Sequence, residues 1–375
     1  MENNRRWNHV FIALFFAMLV LPFPLWMALR SGLDTENREN RELAAFPAPG
    51  TATLEEAPAA FEDWLGDHAP FRNQLMTLNA AANWKLFGTV ESTVVLPGRE
   101  GWMFYRNTED SASLDDYQGL NLYSDAEMSE IAANLVALQE NLASQGTDLV
   151  LLLAPNKELV YRRYMPKDIP MVNPESRADR LVAYLGQNTD LKVVWPEAEL
   201  RALSETQPVY YKYDTHWNEA GAAVAAALLL EAAGVEAPKA GALAFEPSDT
   251  PPLRDLANLS ATWKLAGQDE SWRAANWLPG VQTERTEADE NGWYERYVSG
   301  SANGGKLLMF RDSFGEAMRE PLAAAFGESV FVHINGFGED TIAEEQPDLF
   351  VLEITQRYSD RLLDYLPRLV EWTGR

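Results

Sequence analysis

Residues 210–222, YYKYDTHWNEAGA, place Asp214 and His216 two positions apart. An apolar run typical of a strand, Val209–Tyr213, leads into them, and an alanine-rich run typical of a helix, Glu219–Ala233, follows. An aspartate that holds a histidine in one tautomer, and a histidine that accepts a proton near neutral pH, are two of the three parts of a hydrolase triad. This stretch therefore predicts the base half of a nucleophilic site at the end of a strand.

The missing nucleophile must be a hydroxyl, because the chain has no cysteine. The best candidate is Ser313 in KLLMFRDSFGEAM, where a second strand-like run, Lys306–Arg311, gives way to a helical pattern and Gly315 eases the turn. Sites in open α/β sheets collect at the carboxyl ends of strands, so we expect Ser313, His216 and Asp214 to meet above one sheet. The alternative is a hydrogen-bonded structural role for His216, since Asp-x-His is a common pattern.

Strand-like and helix-like patterns alternate through most of the chain. This alternation predicts an α/β fold with a mainly parallel sheet covered by helices. A hairpin is predicted separately at 94–107, around Gly98 and Gly101, and an interrupted helical pattern at 61–87. The other predicted strands are 149–153, 192–195, 306–311, 329–334 and 349–354, and the other predicted helices are 125–145, 177–185, 219–233, 316–326 and 357–369.

Residues 236–300 break this alternation. They are rich in proline, tryptophan and acidic residues and are too long for a plain connection, so we interpret them as a lid or one face of a substrate groove. Trp263, Trp272 and Trp277 either stack on sugar rings there or hold the long segment to the body.

Composition excludes some classes of function. The chain has 375 residues, 46% of them hydrophobic, and a formal net charge of -25. Nucleic-acid binding needs a concentrated basic face, so we exclude it. The four histidines are scattered and no cysteine is present, so no ligand set has a recognisable metal spacing, and we expect neither a metal nor a cofactor.

The amino terminus predicts a membrane anchor. Val10–Leu29 carries no charge and is about as long as the ~20 residues that cross a hydrocarbon core. A cleaved signal peptide is the alternative, since both begin with a basic start and an apolar run. Arg5 and Arg6 precede the run and acidic residues follow it, which predicts residues 1–9 as a cytoplasmic tail, residues 30–60 as a linker and residues 61–375 as a domain outside the cytoplasm.

The motifs resemble a known family. DTHW at 214–217, DSFG at 312–315, PNK at 155–157 and the GREGWMFY hairpin at 98–105 are similar to those of the alginate O-acetyltransferase J/X family of SGNH-like proteins. Arg311 departs from that pattern, since many relatives have glycine there. The resemblance spans roughly residues 40–370 and implies a three-layer α/β/α domain in the periplasm, tethered to the inner membrane, that acetylates hydroxyls of an exopolysaccharide.

By the same resemblance, Ser313 is the residue that carries the acetyl group, His216 is the general base and acid, and Asp214 orients it. The implied donor partner is a membrane-bound O-acyltransferase. Candidate substrate-binding residues are Asn156, Lys157, Arg311 and Trp217.

Two alternatives share the same site residues. One is a periplasmic acetylesterase, and the other is a non-catalytic polysaccharide-binding subunit. The acceptor is alginate, cellulose or a similar polymer. The large negative charge favours a neutral glucan over a polyuronate, unless Arg162, Arg163, Arg311 and Arg357 form a positive groove.

Overall fold

The computed structural model describes residues 2–38, 41–48, 53, 55–90, 92–106 and 112–375. Parts of the predicted linker (39–40, 49–52 and 54) and residue 107 of the predicted hairpin lie outside the described residues. Contacts divide the chain into two compact units. Unit 1 comprises Met1–Ser92 and Ala257–Ala266, and unit 2 comprises Thr93–Leu256 and Gly267–Arg375.

Helices and strands occur in the following order along the described chain. The helices are α1 (Glu2–Val20), α2 (Pro22–Leu29), α3 (Ala57–Asp67), α4 (Arg72–Phe87), α5 (Ser113–Gln118), α6 (Asp125–Ser144), α7 (Lys157–Val160), α8 (Arg177–Asn188), α9 (Glu197–Leu203), α10 (Glu219–Ala233), α11 (Asp255–Leu259), α12 (Arg319–Ala323), α13 (Thr341–Glu345) and α14 (Leu362–Thr373). The strands are β1 (Val95–Pro97), β2 (Met103–Tyr105), β3 (Asp148–Ala154), β4 (Lys192–Val194), β5 (Phe245–Pro247), β6 (Trp272–Ala274), β7 (Thr283–Ala288), β8 (Tyr294–Ser299), β9 (Lys306–Arg311), β10 (Glu328–His333) and β11 (Leu349–Thr355).

Unit 1 contains α1 to α4. Among the described residues, no single helix is both long and apolar enough to span a membrane. Trp7–Val20 and Pro22–Gly32 reach that length and hydropathy only together, with a bend of 43° between them. The predicted anchor at 10–29 is therefore not one straight helix. The break fits Pro22 and Pro24, which cannot donate backbone hydrogen bonds to the preceding turn.

Unit 2 is built on a seven-stranded sheet with the order β4-β3-β11-β9-β10-β8-β7. The five strands from β4 to β10 are parallel, and β8 and β7 extend that edge as an antiparallel pair. This confirms the predicted α/β fold with a mainly parallel sheet. Strands β3 and β11 are buried on both faces, and apart from Glu353 their interior residues are apolar, because helices cover both sides of the sheet.

Alternate residues of β3 show how the two layers form. Val150 and Leu152 point into a core shared with α10, whereas Leu149, Leu151 and Leu153 point into a core shared with α6, α8 and α14. Helix α10 packs especially closely, because a side chain at Gly221 would meet the carbonyl oxygen of Val209 at 2.3 Å. The residues just before α10 are thereby held against the body of unit 2.

One prediction about an element in unit 2 is wrong. Val209–Tyr213 is not a strand of the sheet but part of a loop closed by a single bridge between Tyr210 and Trp217. Two hydrogen bonds close the loop on itself, from Tyr211 N–H to the His216 carbonyl (3.2 Å) and from Asn218 N–H to the Val209 carbonyl (3.0 Å). Residues 236–300, interpreted above as a lid or one face of a groove, include β7 and β8, which belong to the sheet.

Candidate active site

Ser313 lies just beyond the end of β9, where the chain turns into a short 3-10 helix, Phe314–Met318. The Asp312 carboxylate fixes this turn by accepting hydrogen bonds from Phe314 N–H (2.8 Å) and from Thr355 N–H at the end of the adjacent strand β11 (2.7 Å). Position 315 needs a glycine because there is no room for a side chain, not because of its backbone conformation: an added Cβ would lie 2.7 Å from the Cβ of Arg311. The turn therefore presents the Ser313 side chain at the carboxyl edge of the sheet.

His216 and Asp214 lie in the loop before α10, and the structure brings both to Ser313. His216 Nε2 is 2.9 Å from Ser313 Oγ, and His216 Nδ1 is 2.6 Å from Asp214 Oδ1. The same Asp214 oxygen also accepts the backbone N–H of His216 at 2.9 Å, which the two-residue spacing makes possible. The three side chains have the hydrogen-bonding order of a nucleophile, a base and an orienting acid.

The electrostatics of this set favour a basic imidazole. Burial alone would lower the pKa of His216, but the hydrogen bond and negative charge of Asp214 outweigh it and raise that pKa above 6.5. Burial opposes the charged form of Asp214, yet the hydrogen bond and charge of His216 keep the pKa of that carboxyl below its ordinary value. Asp214 is thus an ionised carboxylate at neutral pH, suited to stabilising an imidazolium.

Asp255, at the start of α11, is a second carboxylate beside the pair. Its backbone N–H donates to Asp214 Oδ2, and its side chain accepts hydrogen bonds from Thr215 N–H (2.8 Å) and Thr215 Oγ1 (2.6 Å). Its Oδ2 is 3.9 Å from His216 Nδ1. Burial and the neighbouring Asp214 charge raise the pKa of Asp255. This residue both completes the hydrogen bonds of Asp214 and adds negative charge near the imidazole.

Lys157 was a candidate substrate-binding residue, but its ammonium group is buried inside unit 2. Its Nζ donates to the carbonyls of Tyr211 (3.0 Å), Lys212 (3.2 Å) and Asp214 (2.6 Å). The Tyr211 and Lys212 carbonyls belong to the run that was predicted to be a strand, and the Asp214 carbonyl follows it. The Lys212 carbonyl also accepts Met103 N–H of β2 at 3.2 Å, so the lysine replaces the donors that a neighbouring strand would have supplied to the other two. Lys157 positions the loop of Asp214 and His216, and the predicted substrate contact is corrected accordingly.

Asn156 and Arg311 are also buried and are already hydrogen-bonded within the protein. Asn156 Nδ2 donates to Asp116 (3.3 Å) and its Oδ1 accepts the backbone N–H of Arg357 (3.3 Å). The Arg311 guanidinium donates to the carbonyls of Asp312 and Gly292, both at 3.2 Å. Their predicted substrate-binding role is corrected in the same way as that of Lys157, because neither of these buried residues is among the described lining of the cavity in front of Ser313.

Trp217 connects the two halves of the site. Its indole Nε1 donates to the carbonyl of Phe314 at 2.9 Å, joining the loop of His216 to the turn of Ser313. It is buried and also lines the cavity in front of Ser313. Of the four candidate substrate-binding residues, Trp217 is the one that the structure places at the cavity wall.

The turn at Ser313 offers fewer free backbone N–H groups to an oxyanion than the start of a regular α-helix would. Phe314 N–H is taken by the Asp312 carboxylate. In the described chain, the N–H groups of Ser313 and Gly315 have no hydrogen-bond partner, so they are the donors left at the turn. The helix that follows is a five-residue 3-10 segment and then the five-residue α12, so the expected macrodipole contribution is small.

A cavity of about 810 Å³ opens in front of Ser313 and His216. Its walls come from the turn after β9, from the start of α10 and from residues 248–283 of the predicted lid. Of the three lid tryptophans, Trp277 lines the cavity, with its Nε1 bound to the Pro321 carbonyl at 2.9 Å. Trp263 lies in unit 1 under the Arg38 guanidinium, and Trp272 donates to Glu270.

One group of possible metal ligands occurs in the described residues, and it consists of Asp214, His216 and Asp255. The donor atoms of this group already hydrogen-bond to one another or to backbone N–H groups. A cation there would displace the bond that orients His216. The donor set therefore fits a hydrogen-bond network better than a metal centre.

Sequence reasoning missed Asp255 and Glu353. Glu353 lies buried in β11, where its Oε2 accepts the backbone N–H of Asp312 at 2.9 Å, and burial raises its pKa well above the ordinary value. A single acid inside the otherwise apolar run LFVLEIT was an available signal for Glu353. Nothing local marks Asp255 among the many acids of the 236–300 segment.

Comparison with known proteins agrees with these features. The family model described as "SGNH hydrolase-like domain, acetyltransferase AlgX" matches residues 95–295, a range that contains Asp214 and His216 and ends before Ser313. A probable alginate O-acetylase AlgJ of Pseudomonas putida is 29% identical over 191 residues, covering 48% of this chain and 45% of that protein. Its counterpart in Pseudomonas syringae pv. tomato is 30% identical over 188 residues, covering 48% and 44%. The chain thus spans less than half the length of these curated relatives.

Among solved structures, a DHHW family protein from Eubacterium siraeum superposes with a TM-score of 0.51 at 17% identity, covering 72% of this chain and 98% of that one. At that identity the likeness concerns the fold alone. The family model, in contrast, matches more than half of the chain. The protein therefore belongs to the AlgX family of SGNH hydrolase-like acetyltransferase domains, within the alginate O-acetyltransferase J/X group that its motifs resemble.

Proposed function

We propose that this protein is a polysaccharide O-acetyltransferase that carries the acetyl group on Ser313. The observation that carries the proposal is the hydrogen-bonded chain Ser313–His216–Asp214 at the wall of a large cavity. A cavity of about 810 Å³ is large enough for a sugar residue beside the serine. Membership of an acetyltransferase family favours transfer to a hydroxyl over other acyl chemistry.

The reaction has two half-reactions. In the first, His216 Nε2 takes the proton of Ser313 Oγ while that oxygen attacks the carbonyl carbon of an acetyl ester; the bond to the donor oxygen then breaks, and His216 returns the proton to that oxygen. In the second, His216 takes the proton of a sugar hydroxyl, whose oxygen attacks the acetyl-serine, and the proton goes back to Ser313 Oγ. The imidazolium formed in each half-reaction is stabilised by the Asp214 carboxylate.

In each tetrahedral intermediate, the oxyanion accepts hydrogen bonds from the backbone N–H groups of Ser313 and Gly315. Two backbone donors are a common complement for such an oxyanion. The Asp312 and Glu353 carboxyl groups sit beneath the turn and fix it, so these donors need little rearrangement during the reaction.

The proposal also covers the location of the protein in the cell and the source of the acetyl group. An N-terminal anchor in the inner membrane would hold unit 2 in the periplasm, next to a membrane-bound O-acyltransferase that supplies the acetyl group. The bent apolar pair Trp7–Val20 and Pro22–Gly32 supports an anchor by length and composition.

The test supplies the full-length protein in detergent with an aryl acetate as donor, with and without an oligosaccharide acceptor. We expect Ser313-dependent acetylation of the sugar, detected by mass spectrometry, and a trapped acetyl group on Ser313 when the acceptor is omitted. Free acetate with no acetylated sugar would instead identify an esterase. Equal reaction by wild type and Ser313→Ala would leave a binding subunit as the remaining function.

A further inference from the structure

The charge of the cavity in front of Ser313 bears on which sugar it accepts. Three carboxylates line it, from Glu219, Glu316 and Glu320, together with the guanidinium groups of Arg273 and Arg319. Both guanidinium groups have acidic partners: Arg273 Nη2 lies 2.8 Å from Glu246, and Arg319 Nη2 lies 2.8 Å from Glu316. Neither arginine is therefore an uncompensated positive charge for a substrate carboxylate.

The two remaining acids lack such compensation. Glu219 Oε1 accepts a hydrogen bond from Thr250 Oγ1 at 2.7 Å, whereas its Oε2 is buried without a hydrogen-bond partner among the described residues. Glu320 is exposed at the rim and forms no ion pair in the part of the chain that the structure describes. A buried carboxylate oxygen without a partner needs a donor, and a sugar hydroxyl is a suitable one.

None of the arginines considered for a positive groove lines the described cavity, although Arg357 is buried over the Phe314 ring at 5.2 Å. Arg162 pairs with Glu197 at 3.0 Å and Arg163 with Glu205 at 2.6 Å, while Arg311 and Arg357 are buried. The described lining of the cavity includes none of the four. The formal net charge of -25 adds to the repulsion of any anionic chain.

Aromatic side chains supply the rest of a carbohydrate site. Tyr211, Tyr297 and Trp277 line the cavity, and the Trp277 indole is fixed by its bond to the Pro321 carbonyl. Rings of this kind offer a large apolar surface with polar edges, which matches the apolar faces and hydroxyl edges of a hexose. The lining therefore suits a sugar that brings hydroxyl donors and no negative charge.

We propose that this cavity is the acceptor site, and that it takes an uncharged hexosyl residue of a neutral polysaccharide, with Glu219 accepting a hydrogen bond from a sugar hydroxyl, rather than a uronate. The inference rests on the proposed acetyl transfer through Ser313. A uronate would place a carboxylate near Glu219 or Glu320, where like charges repel and the described lining of the cavity offers no unpaired cation to compensate them.

The experiment compares two acceptors of matched length, a neutral gluco-oligosaccharide and an oligomannuronate, with full-length protein and an aryl acetate donor. We expect kcat/KM for the neutral acceptor to exceed that for the uronate by at least about tenfold at low salt, and the ratio to fall at about 1 M salt, where charges are screened within about 3 Å. Equal or better acetylation of the oligomannuronate would overturn the inference and leave the proposed function intact. Absence of any Ser313-dependent transfer would overturn both.

Two variants test the role assigned to Glu219. Glu219→Gln keeps the shape of the side chain and removes its charge, so the ratio between the neutral and uronate acceptors should fall by about threefold or more. The matched control is Glu231→Gln on the same helix, since Glu231 is exposed, pairs with Lys239 and does not line the cavity. A ratio that Glu219→Gln leaves at the wild-type value would refute the assigned contact.

Discussion

Replacing Lys157 by methionine tests whether this buried lysine holds the loop of the proposed base. The change removes an ammonium group that donates to three carbonyls, at 2.6 Å, 3.0 Å and 3.2 Å, and leaves a side chain of similar length. The Lys212 carbonyl keeps a donor, because it also accepts the Met103 N–H at 3.2 Å. The carbonyls of Tyr211 and Asp214 are left without one at about 1–3 kcal/mol each, so their loss costs about 2–6 kcal/mol.

Part of that loss is offset, because methionine does not have to bury a charge. Burial lowers the pKa of Lys157 from 10.5 to about 8, which corresponds to about 3 kcal/mol. Subtracting this from the middle of the range, about 4 kcal/mol, leaves a net destabilisation of about 1 kcal/mol. We expect Lys157→Met to lower the free energy of unfolding by that amount in urea titrations followed by circular dichroism.

The same variant should lower kcat more than it raises KM, since a displaced Asp214 impairs His216 without removing a substrate contact. Lys239→Met is the control, because Lys239 is exposed and pairs with Glu231 alone in the described chain. The reasoning fails if Lys157→Met unfolds like wild type, or if it raises KM while kcat stays constant, as a substrate-binding lysine would.

Three further changes probe the site. Ser313→Ala should fold normally and lose acetyl transfer by a factor of about 10⁴ or more, measured as acetylated sugar. Asp255→Asn removes a negative charge that raises the pKa of His216, so the acid limb of kcat/KM against pH, which reports the loss of neutral imidazole as pH falls, should move to lower pH. An unmoved limb would contradict the assigned charge effect. Gly315→Ala places a Cβ 2.7 Å from that of Arg311, and thermal unfolding should show a loss of about 1–3 kcal/mol.

Sequence patterns located most of the sheet, because strand and helix periodicity is local and β3, β9, β10 and β11 each contain a continuous apolar run. Val209–Tyr213 has the same apolar pattern but is a loop. The difference lies in Lys157, which is more than fifty positions away and supplies its carbonyls with donors. The periodicity of the sequence cannot show that a distant lysine side chain, rather than a neighbouring strand, supplies the hydrogen-bond donors.

The sequence by itself determined the pairing of Asp214 with His216, since a spacing of two residues lets one carboxylate oxygen bind both the ring and the backbone N–H of the histidine. Only the tertiary structure decided that Ser313, 97 positions further along, lies within hydrogen-bond distance of that ring. It also decided that Asp255 faces the pair and that the cavity wall is acidic. Short-range bonds follow from chain geometry, whereas contacts between distant segments exist only because the packing of a whole sheet and its helices outweighs the entropy lost in closing the chain between them.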